Sequence, residues 1–211
     1  MLQIEARGLG RRYGRQWIFR HLSYSFAPGT ATAVLGPNGA GKSTLLSILA
    51  GQLLPTEGQV SYEWAHSGKQ LPVAEVPRQL AYCAPYLELP EEFTLLELLA
   101  FHTRLKPLRL GVSAADLVDI MYLRKARHQA VRTFSSGMKQ RLKLGLALYA
   151  STPLLLLDEP TTNLDATGAA WYLEHVAEAR RADPARVLLV SSNVPAEYGF
   201  CEATVRITDF Q

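Results

Sequence analysis

A glycine-rich stretch near the start of the chain has the residue types and the spacing of a phosphate-binding loop. It fits the pattern G-x-x-x-x-G-K-[ST] and consists of Gly36, Pro37, Asn38, Gly39, Ala40, Gly41, Lys42, Ser43 and Thr44. Glycines let the backbone turn successive N–H groups toward an anion, and a helix that follows points its positive end at the same place. We expect Lys42 to reach the β- and γ-phosphates of a nucleotide and the Ser43 hydroxyl to bind Mg²⁺.

Two carboxylates form the second candidate for chemistry. The apolar run Leu154–Leu157 is followed directly by Asp158 and Glu159. Such a run is typical of a strand buried on both faces of a parallel sheet, and α/β sheets bind ligands at the carboxyl ends of their strands. We therefore expect Asp158 to hold the Mg²⁺ shell and Glu159 to polarise the water that attacks the phosphate.

The elements around these motifs predict a parallel sheet. Ala31–Leu35 is apolar and predicts the strand before the phosphate loop, and Leu45–Ala50 predicts the helix after it, which is the context that this motif requires. Short apolar runs in Leu80–Cys83, Arg186–Val190 and Ala203–Ile207 predict further strands.

The first quarter of the chain has a different pattern. Apolar and polar residues alternate in Leu2–Leu9, Leu22–Phe26 and Gly58–Trp64, which predicts a small antiparallel sheet around the nucleotide loop. The basic stretch Arg11–Arg15 predicts a turn, and Trp64–Gln79, with its glycine and prolines, predicts a loop.

A mostly helical insertion, roughly residues 85–150, interrupts the parallel-sheet pattern. A capping box at Thr94 opens a predicted helix through about Leu105, and Ser113 with Asp116 is expected to open a second through about Leu123. Outside this insertion, another helix is expected over about Gly168–Ala182. We predict an α/β fold of the P-loop NTPase type: a core with a mainly parallel sheet, an N-terminal antiparallel β subdomain and an inserted α-helical lobe. Residues 1–211 are expected to form one domain.

Composition excludes several classes of protein. The chain has 22 basic and 19 acidic residues, a balance that does not favour nucleic acid as a partner. Cys83 and Cys201 lack metal-like spacing and are expected to be reduced cytosolic thiols. No apolar stretch has the length of a membrane helix, and Met1–Glu5 shows no signal-peptide pattern, so a span would have to come from another subunit.

The motifs, in this order, resemble the ATP-binding subunit of ABC transporters over about Tyr13 to Ile207. Phe134–Met138 (F-S-S-G-M) is similar to the family's signature L-S-G-G-Q and lies shortly before the Asp-Glu strand, and Leu164–Asp165 matches the family's D-loop. Alone, a serine–glycine pattern is also typical of a helix cap. Its position in the chain favours the signature.

The resemblance implies that two ATP-binding subunits face each other head to tail and sandwich each ATP between one phosphate loop and the other subunit's signature. The residues that would contact nucleotide from this second side are Ser135, Ser136, Gly137 and Asp165. Tyr13 matches the aromatic residue that stacks on adenine, a contact worth ~1–3 kcal/mol. The alternative for Tyr13 is an ordinary surface tyrosine.

The sequence departs from the family pattern at three places. Asn193 stands where the family has a histidine that contacts the γ-phosphate, and an amide cannot carry a proton as an imidazole can. Ala84–Tyr86 contains no glutamine where the family has one. Ser136 and Met138 replace glycine and glutamine in the signature. Glu159 is retained, so we expect hydrolysis of ATP that is slow and dependent on a partner.

The leading interpretation is a Mg²⁺-dependent ATPase subunit that acts as a dimer, expected to be a homodimer, and powers a separate transmembrane permease from the cytoplasmic face of the membrane. Pro85–Phe93 would dock the permease, with a solvated acidic loop as the alternative. Two other functions stay open: a soluble ABC-type ATPase and an ATP-dependent assembly clamp that barely hydrolyses. The transported substrate and the direction of transport cannot be predicted from this chain.

Overall fold

The chain begins with two strands and contains both strands and helices from β3 onward, and the computed structural model describes all residues, 1–211. The strands are β1 Leu2–Tyr13, β2 Gln16–Phe26, β3 Ala31–Leu35, β4 Glu57–Trp64, β5 Lys69–Gln70, β6 Leu80–Cys83, β7 Leu154–Asp158, β8 Val187–Ser191 and β9 Ala203–Arg206. The helices are α1 Lys42–Leu49, α2 Leu95–Leu105, α3 Ala114–Ile120, α4 Ser136–Leu148, α5 Ala166–Ala182 and α6 Pro195–Tyr198. The α/β fold class is therefore confirmed.

Two sheets make up the β structure. The first is antiparallel, with four strands in the order β2-β1-β4-β5, and the second has five strands in the order β6-β7-β8-β3-β9. Every pairing in the second sheet is parallel. The carboxyl ends of its strands consequently lie along one edge, where Asp158 pairs with Ser191 and Val34 pairs with the same serine from the other side.

The parallel sheet separates two hydrophobic cores, and strand β7, the neighbour of the edge strand β6, contributes to both. Leu155 and Leu157 pack with the helical lobe and α5 on one face. Leu154 and Leu156 pack on the other face with α1 and the antiparallel sheet. All five residues of β7 are buried, which explains why the strand is a continuous apolar run rather than an alternating one.

Some boundaries differ from the sequence predictions. The predicted turn at Arg11–Arg15 is wrong in part, because β1 continues to Tyr13 and pairs there with β2, so that only Gly14 and Arg15 turn. The predicted loop Trp64–Gln79 contains β5 and a 3₁₀ helix, Val73–Arg78. The capping box at Thr94 and the helix start at Ser113 are confirmed, and Ser113 also forms a capping box, with Asp116. None of the helices combines the length and the apolar composition of a membrane span.

Candidate functional site

The phosphate-loop motif lies between β3 and α1, at the carboxyl edge of the parallel sheet. Gly41 has a φ of +105°, and a Cβ placed on it would come within 2.3 Å of the Ile18 side chain, so no other residue fits there. The Lys42 side chain is buried and lies back across the loop. Its Nζ donates to the carbonyl of Gly36 at 2.8 Å and to that of Pro37 at 3.2 Å. The loop therefore holds a lysine ammonium group over its own concave face.

The N-terminus of α1 differs from that of the other long helices. Helices α2, α3, α4 and α5 each begin with a side-chain cap, from Thr94, Ser113, Ser135 and Asp165 respectively. Helix α1 begins at Gly41 with no side-chain cap and no acidic residue in its first turn. The first N–H groups of any helix lack intrahelical acceptors, so α1 presents them, with the positive helix dipole, to whatever binds the loop.

Asp158 is the most unusual carboxylate in the structure. It is 1% exposed, and neither of its oxygens has a hydrogen-bond partner. Burial raises the pKa of Asp158 above its ordinary value, while the nearby hydroxyls of Ser43 and Ser191 and the charge of Lys42 partly offset that rise. A buried carboxylate without hydrogen bonds is stabilised by a cation. Its oxygens and the Ser43 hydroxyl are hard donors of the kind that Mg²⁺ prefers, so these residues fit the ion.

Glu159 follows at the point where the chain leaves β7. Its φ of +44° lies in the left-handed region, which is rare for a residue with a side chain. The Glu159 N–H donates to the Ser191 carbonyl at 2.8 Å, which ties this unusual conformation to the neighbouring strand. The residue is half-buried.

Asn193 lies beside the phosphate loop. Its Nδ2 donates to Asn38 Oδ1, across the edge of the sheet between β8 and β3. The structure thus brings together the loop, Lys42, Asp158 and Asn193. Sequence analysis missed Ser191, whose buried hydroxyl faces Asp158 and has no hydrogen-bond partner, because a serine that ends a strand carries no distinctive pattern.

The other predicted residues lie apart from this cluster. Ser135, Ser136 and Asp165 are exposed, and the hydrogen bonds of Ser135 and Asp165 cap their own helices, at Met138 N–H (3.2 Å) and Gly168 N–H (2.7 Å). Gly137 touches the turn before α5, since a Cβ on it would lie 3.2 Å from the Asn163 carbonyl oxygen.

The aromatic residue predicted to stack on adenine lies at the end of β1. Tyr13 is 51% exposed, and the Arg11 guanidinium lies 4.6 Å above its ring. One face of the ring is therefore covered by a cation, which leaves the opposite face for another partner.

A tyrosine occupies the neighbourhood of the absent glutamine. The Tyr86 hydroxyl lies 3.2 Å from Ser47 Oγ on α1 and also bonds the hydroxyl of Tyr82 on β6. Burial raises the pKa of Tyr82 far above its ordinary value, so this hydroxyl stays protonated at neutral pH. The segment after β6 is thus joined to the phosphate-loop helix by hydroxyl groups.

Comparison with known proteins gives consistent matches. Residues 19–162 match the family model described as ABC transporter. The cytochrome c biogenesis ATP-binding export protein CcmA of Rhizobium meliloti is 35% identical, with 83% of this chain and 84% of that protein covered. A solved ATP-binding subunit of an ABC transporter is 27% identical, with a TM-score of 0.79 and coverage of 96% of this chain and 85% of that one. A dimeric bacterial ABC transporter cassette shares the fold, with a TM-score of 0.78, 19% identity and coverage of 96% and 93%.

Proposed function

The chain belongs to the ABC transporter family and is an ATP-binding, ATP-hydrolysing subunit of that family, and from that premise we propose which of its residues bind and hydrolyse ATP. The observation that carries the proposal is the uncapped N-terminus of α1 beside a buried lysine and an unpartnered carboxylate. Gly36–Thr44 wraps the phosphates, the N–H groups of α1 donate to them, and Lys42 exchanges its loop carbonyls for phosphate oxygens.

Ser43 and Asp158 are the residues that would hold Mg²⁺. A bound cation would stabilise the buried charge of Asp158, because neither carboxylate oxygen accepts a hydrogen bond of good geometry within the chain. When bound, Mg²⁺ neutralises charge that develops on the phosphates. Glu159, half-buried and placed directly after β7, accepts a proton from the attacking water.

We propose that turnover by the isolated chain is slow. Asn193 can donate a hydrogen bond to a γ-phosphate but cannot carry a proton or a positive charge, and its amide is held by Asn38 in the nucleotide-free chain. Ala84–Tyr86, where an amide is usual in the family, contains none, and the Tyr86 hydroxyl there bonds the hydroxyl of Tyr82. A partner that moves the segment after β6 would act on α1 through the Tyr86–Ser47 contact.

Two copies of the chain would complete the site. Ser135, Ser136, Gly137 and Asp165 lie apart from their own phosphate loop, on a surface that a second copy can reach. In this arrangement they contact the ATP held by the other subunit. The structurally similar bacterial cassette is itself dimeric, which supports this arrangement. Tyr13 stacks on adenine with the face that Arg11 leaves open.

A separate transmembrane permease is the proposed partner for transport, with this chain on the cytoplasmic face of the membrane. The docking surface is Pro85–Phe93, which borders a cleft of about 470 Å³. Lys139 and Lys143 of α4 line the cleft together with glutamates, so that it can accept an amphipathic segment of mixed charge.

Affinity purification tests the permease. The tagged chain is recovered from detergent-solubilised native membranes, and co-purifying proteins are identified by mass spectrometry. A multi-span protein in stoichiometric amount is the expected result. Recovery from the soluble fraction alone, with no membrane partner, would contradict the proposed permease and favour a soluble ATPase or an ATP-dependent clamp.

A further inference from the structure

The connecting segment, residues 159–165, carries Glu159 at its start and leads into α5. Its backbone is irregular, because Glu159 and Asn163 both have positive φ angles, +44° and +64°. Two internal hydrogen bonds close its turns, from Thr162 N–H to the Glu159 carbonyl (3.1 Å) and from Leu164 N–H to the Thr161 carbonyl (2.9 Å). Such a segment keeps one conformation only if groups from outside hold it.

One outside group comes from α4, the helix that begins at the signature. Gln140 is 1% exposed, and its Nε2 donates to the Pro160 carbonyl at 2.7 Å. Proline offers no N–H, so this carbonyl is the only backbone polar group of Pro160, and Gln140 satisfies it.

The second outside group comes from α6, the short helix that follows Asn193. Glu197 is 4% exposed, and its Oε1 accepts hydrogen bonds from both the N–H (3.2 Å) and the hydroxyl of Thr161. Its other oxygen, Oε2, is buried without a partner. Burial of the Glu197 carboxylate costs solvation free energy that its hydrogen bonds do not fully recover. Because both bonds go to Thr161, we infer that Glu197 holds Thr161 in place rather than stabilising α6.

We propose that Gln140 and Glu197 are positioning residues for Glu159, holding the Pro160–Thr161 peptide between α4 and α6 so that the Glu159 carboxylate keeps its place; the inference rests on the proposed role of Glu159 as the group that accepts a proton from water. Neither side chain touches nucleotide in this assignment. Both act through the backbone that follows Glu159, one from the signature helix and one from the helix after Asn193.

The test measures kcat and KM of the full chain with Mg²⁺ and ATP. Gln140→Met keeps the approximate side-chain volume but loses the hydrogen bond to the Pro160 carbonyl. Thr161→Val removes the hydroxyl that donates a hydrogen bond to Glu197. Each should lower kcat by roughly ten- to a hundredfold, since small misplacements of reacting groups have effects of that order, with little change in KM. Glu197→Gln keeps an acceptor oxygen and should retain most of the activity, whereas Glu197→Ala should not.

A matched control and a second background separate positioning from general damage to the fold. Thr152→Val removes another buried hydroxyl, at the amino end of β7, and should leave kcat unchanged. In a Glu159→Gln background, Thr161→Val should cause no further loss of residual turnover, because the group that it positions is gone. Equal fold losses in both backgrounds would overturn the inference.

Two further outcomes are decisive. If Glu159→Gln lowers turnover but Gln140→Met and Thr161→Val do not, the inference fails and the proposed function stands. If Glu159→Gln leaves turnover unchanged, both fail. Amide hydrogen exchange of the nucleotide-free chain gives a readout that needs no turnover: exchange in residues 159–165 should accelerate in Gln140→Met and Thr161→Val but not in Thr152→Val. Unchanged exchange in the first two would also contradict the inference.

Discussion

The two ends of the parallel sheet differ in whether their buried polar groups are hydrogen-bonded. At the amino end, the Arg186 guanidinium donates to the carbonyls of Ala147 and Leu148 (both 3.0 Å) and to the Thr152 hydroxyl (2.8 Å), and Nε is its only nitrogen without a partner. At the carboxyl end, the Asp158 carboxylate and the Ser191 hydroxyl are buried and have no partner of good hydrogen-bond geometry, although the Ser43 and Ser191 hydroxyls lie near the carboxylate.

The contrast separates stability from ligand binding. Arg186 caps the C-terminal carbonyls of α4 and joins that helix to the start of β7, so its bonds contribute to the folded chain itself. Asp158 destabilises the folded chain, because burial removes its charge from water and the nearby Ser43 and Ser191 hydroxyls and Lys42 offset that cost only in part. Asp158 lies at the carboxyl ends of the strands, where α/β proteins bind ligands. We therefore expect its partner to be a cation that binds together with the ligand. Four substitutions test this difference, from the largest expected effect to the smallest.

Replacement of Glu159 by Gln should impair ATP hydrolysis at the carboxyl end of the sheet and leave ATP binding intact. Loss of a general base lowers rates by ~10²–10⁴-fold, so turnover should fall by that factor. Steady-state ATPase assays measure the rate, and titration with ATP measures the affinity, which should be unchanged. Unchanged turnover would remove Glu159 from the mechanism.

Replacement of Arg186 by Met should affect stability alone. The carbonyls of Ala147 and Leu148 lose their donors, and each unsatisfied buried group costs about 1–3 kcal/mol. For a chain of this size, Tm should fall by about 2–4 °C per kcal/mol, measured by calorimetry. Arg181→Met, at an exposed position nearby, is the control and should change Tm little. If the Arg186 variant lost turnover at an unchanged Tm, the claim that Arg186 contributes to stability alone would be wrong.

Replacement of Asp158 by Asn should stabilise the nucleotide-free chain by up to a few degrees in Tm while lowering Mg²⁺-dependent turnover. The pKa of Asp158 is raised by burial, so the folded chain holds this proton to a higher pH than the unfolded chain does. Ionisation therefore destabilises the fold as the pH rises from the unfolded-state pKa through the folded-state pKa. The Tm values of wild type and variant should converge in acid and diverge toward neutral pH, and parallel curves would refute this account.

Replacement of Asn193 by His should have the smallest effect, an increase in turnover of a few fold. The imidazole restores the group that the family usually places there, and it replaces the amide that Asn38 holds. ATPase assays across about pH 6–8 measure the gain. The same rate in the variant as in wild type would mean that position 193 does not reach the γ-phosphate.

Local sequence patterns predicted the parts of the fold that depend on local physics. The run Leu154–Asp158 indicated a doubly buried strand, and β7 is fully buried over those residues. The capping boxes at Thr94 and Ser113 fixed the starts of α2 and α3, because a cap is complete within a few neighbouring residues. The phosphate-loop motif indicated the strand and the helix that flank it for the same reason.

Features that depend on distant partners were not predictable in this way. Arg12 and Tyr13 extend β1 because Trp17 and Gln16 pair with them after the turn, and a basic stretch alone indicates only a polar surface. Gln140 and Glu197 bond backbone and side-chain groups 20 and 36 residues away in the chain, respectively. A glutamine within a helix and a glutamate in a short helical turn gave no signal of either contact.

Strand β7 also determines how the molecule can unfold. Because Leu155 and Leu157 belong to one core while Leu154 and Leu156 belong to the other, neither core can melt without exposing a face of the same strand. Thermal unfolding should then be a single cooperative transition, with no surviving half. We expect a fragment that lacks the antiparallel sheet or the helical lobe to expose the apolar face that the missing part covers, and therefore to aggregate.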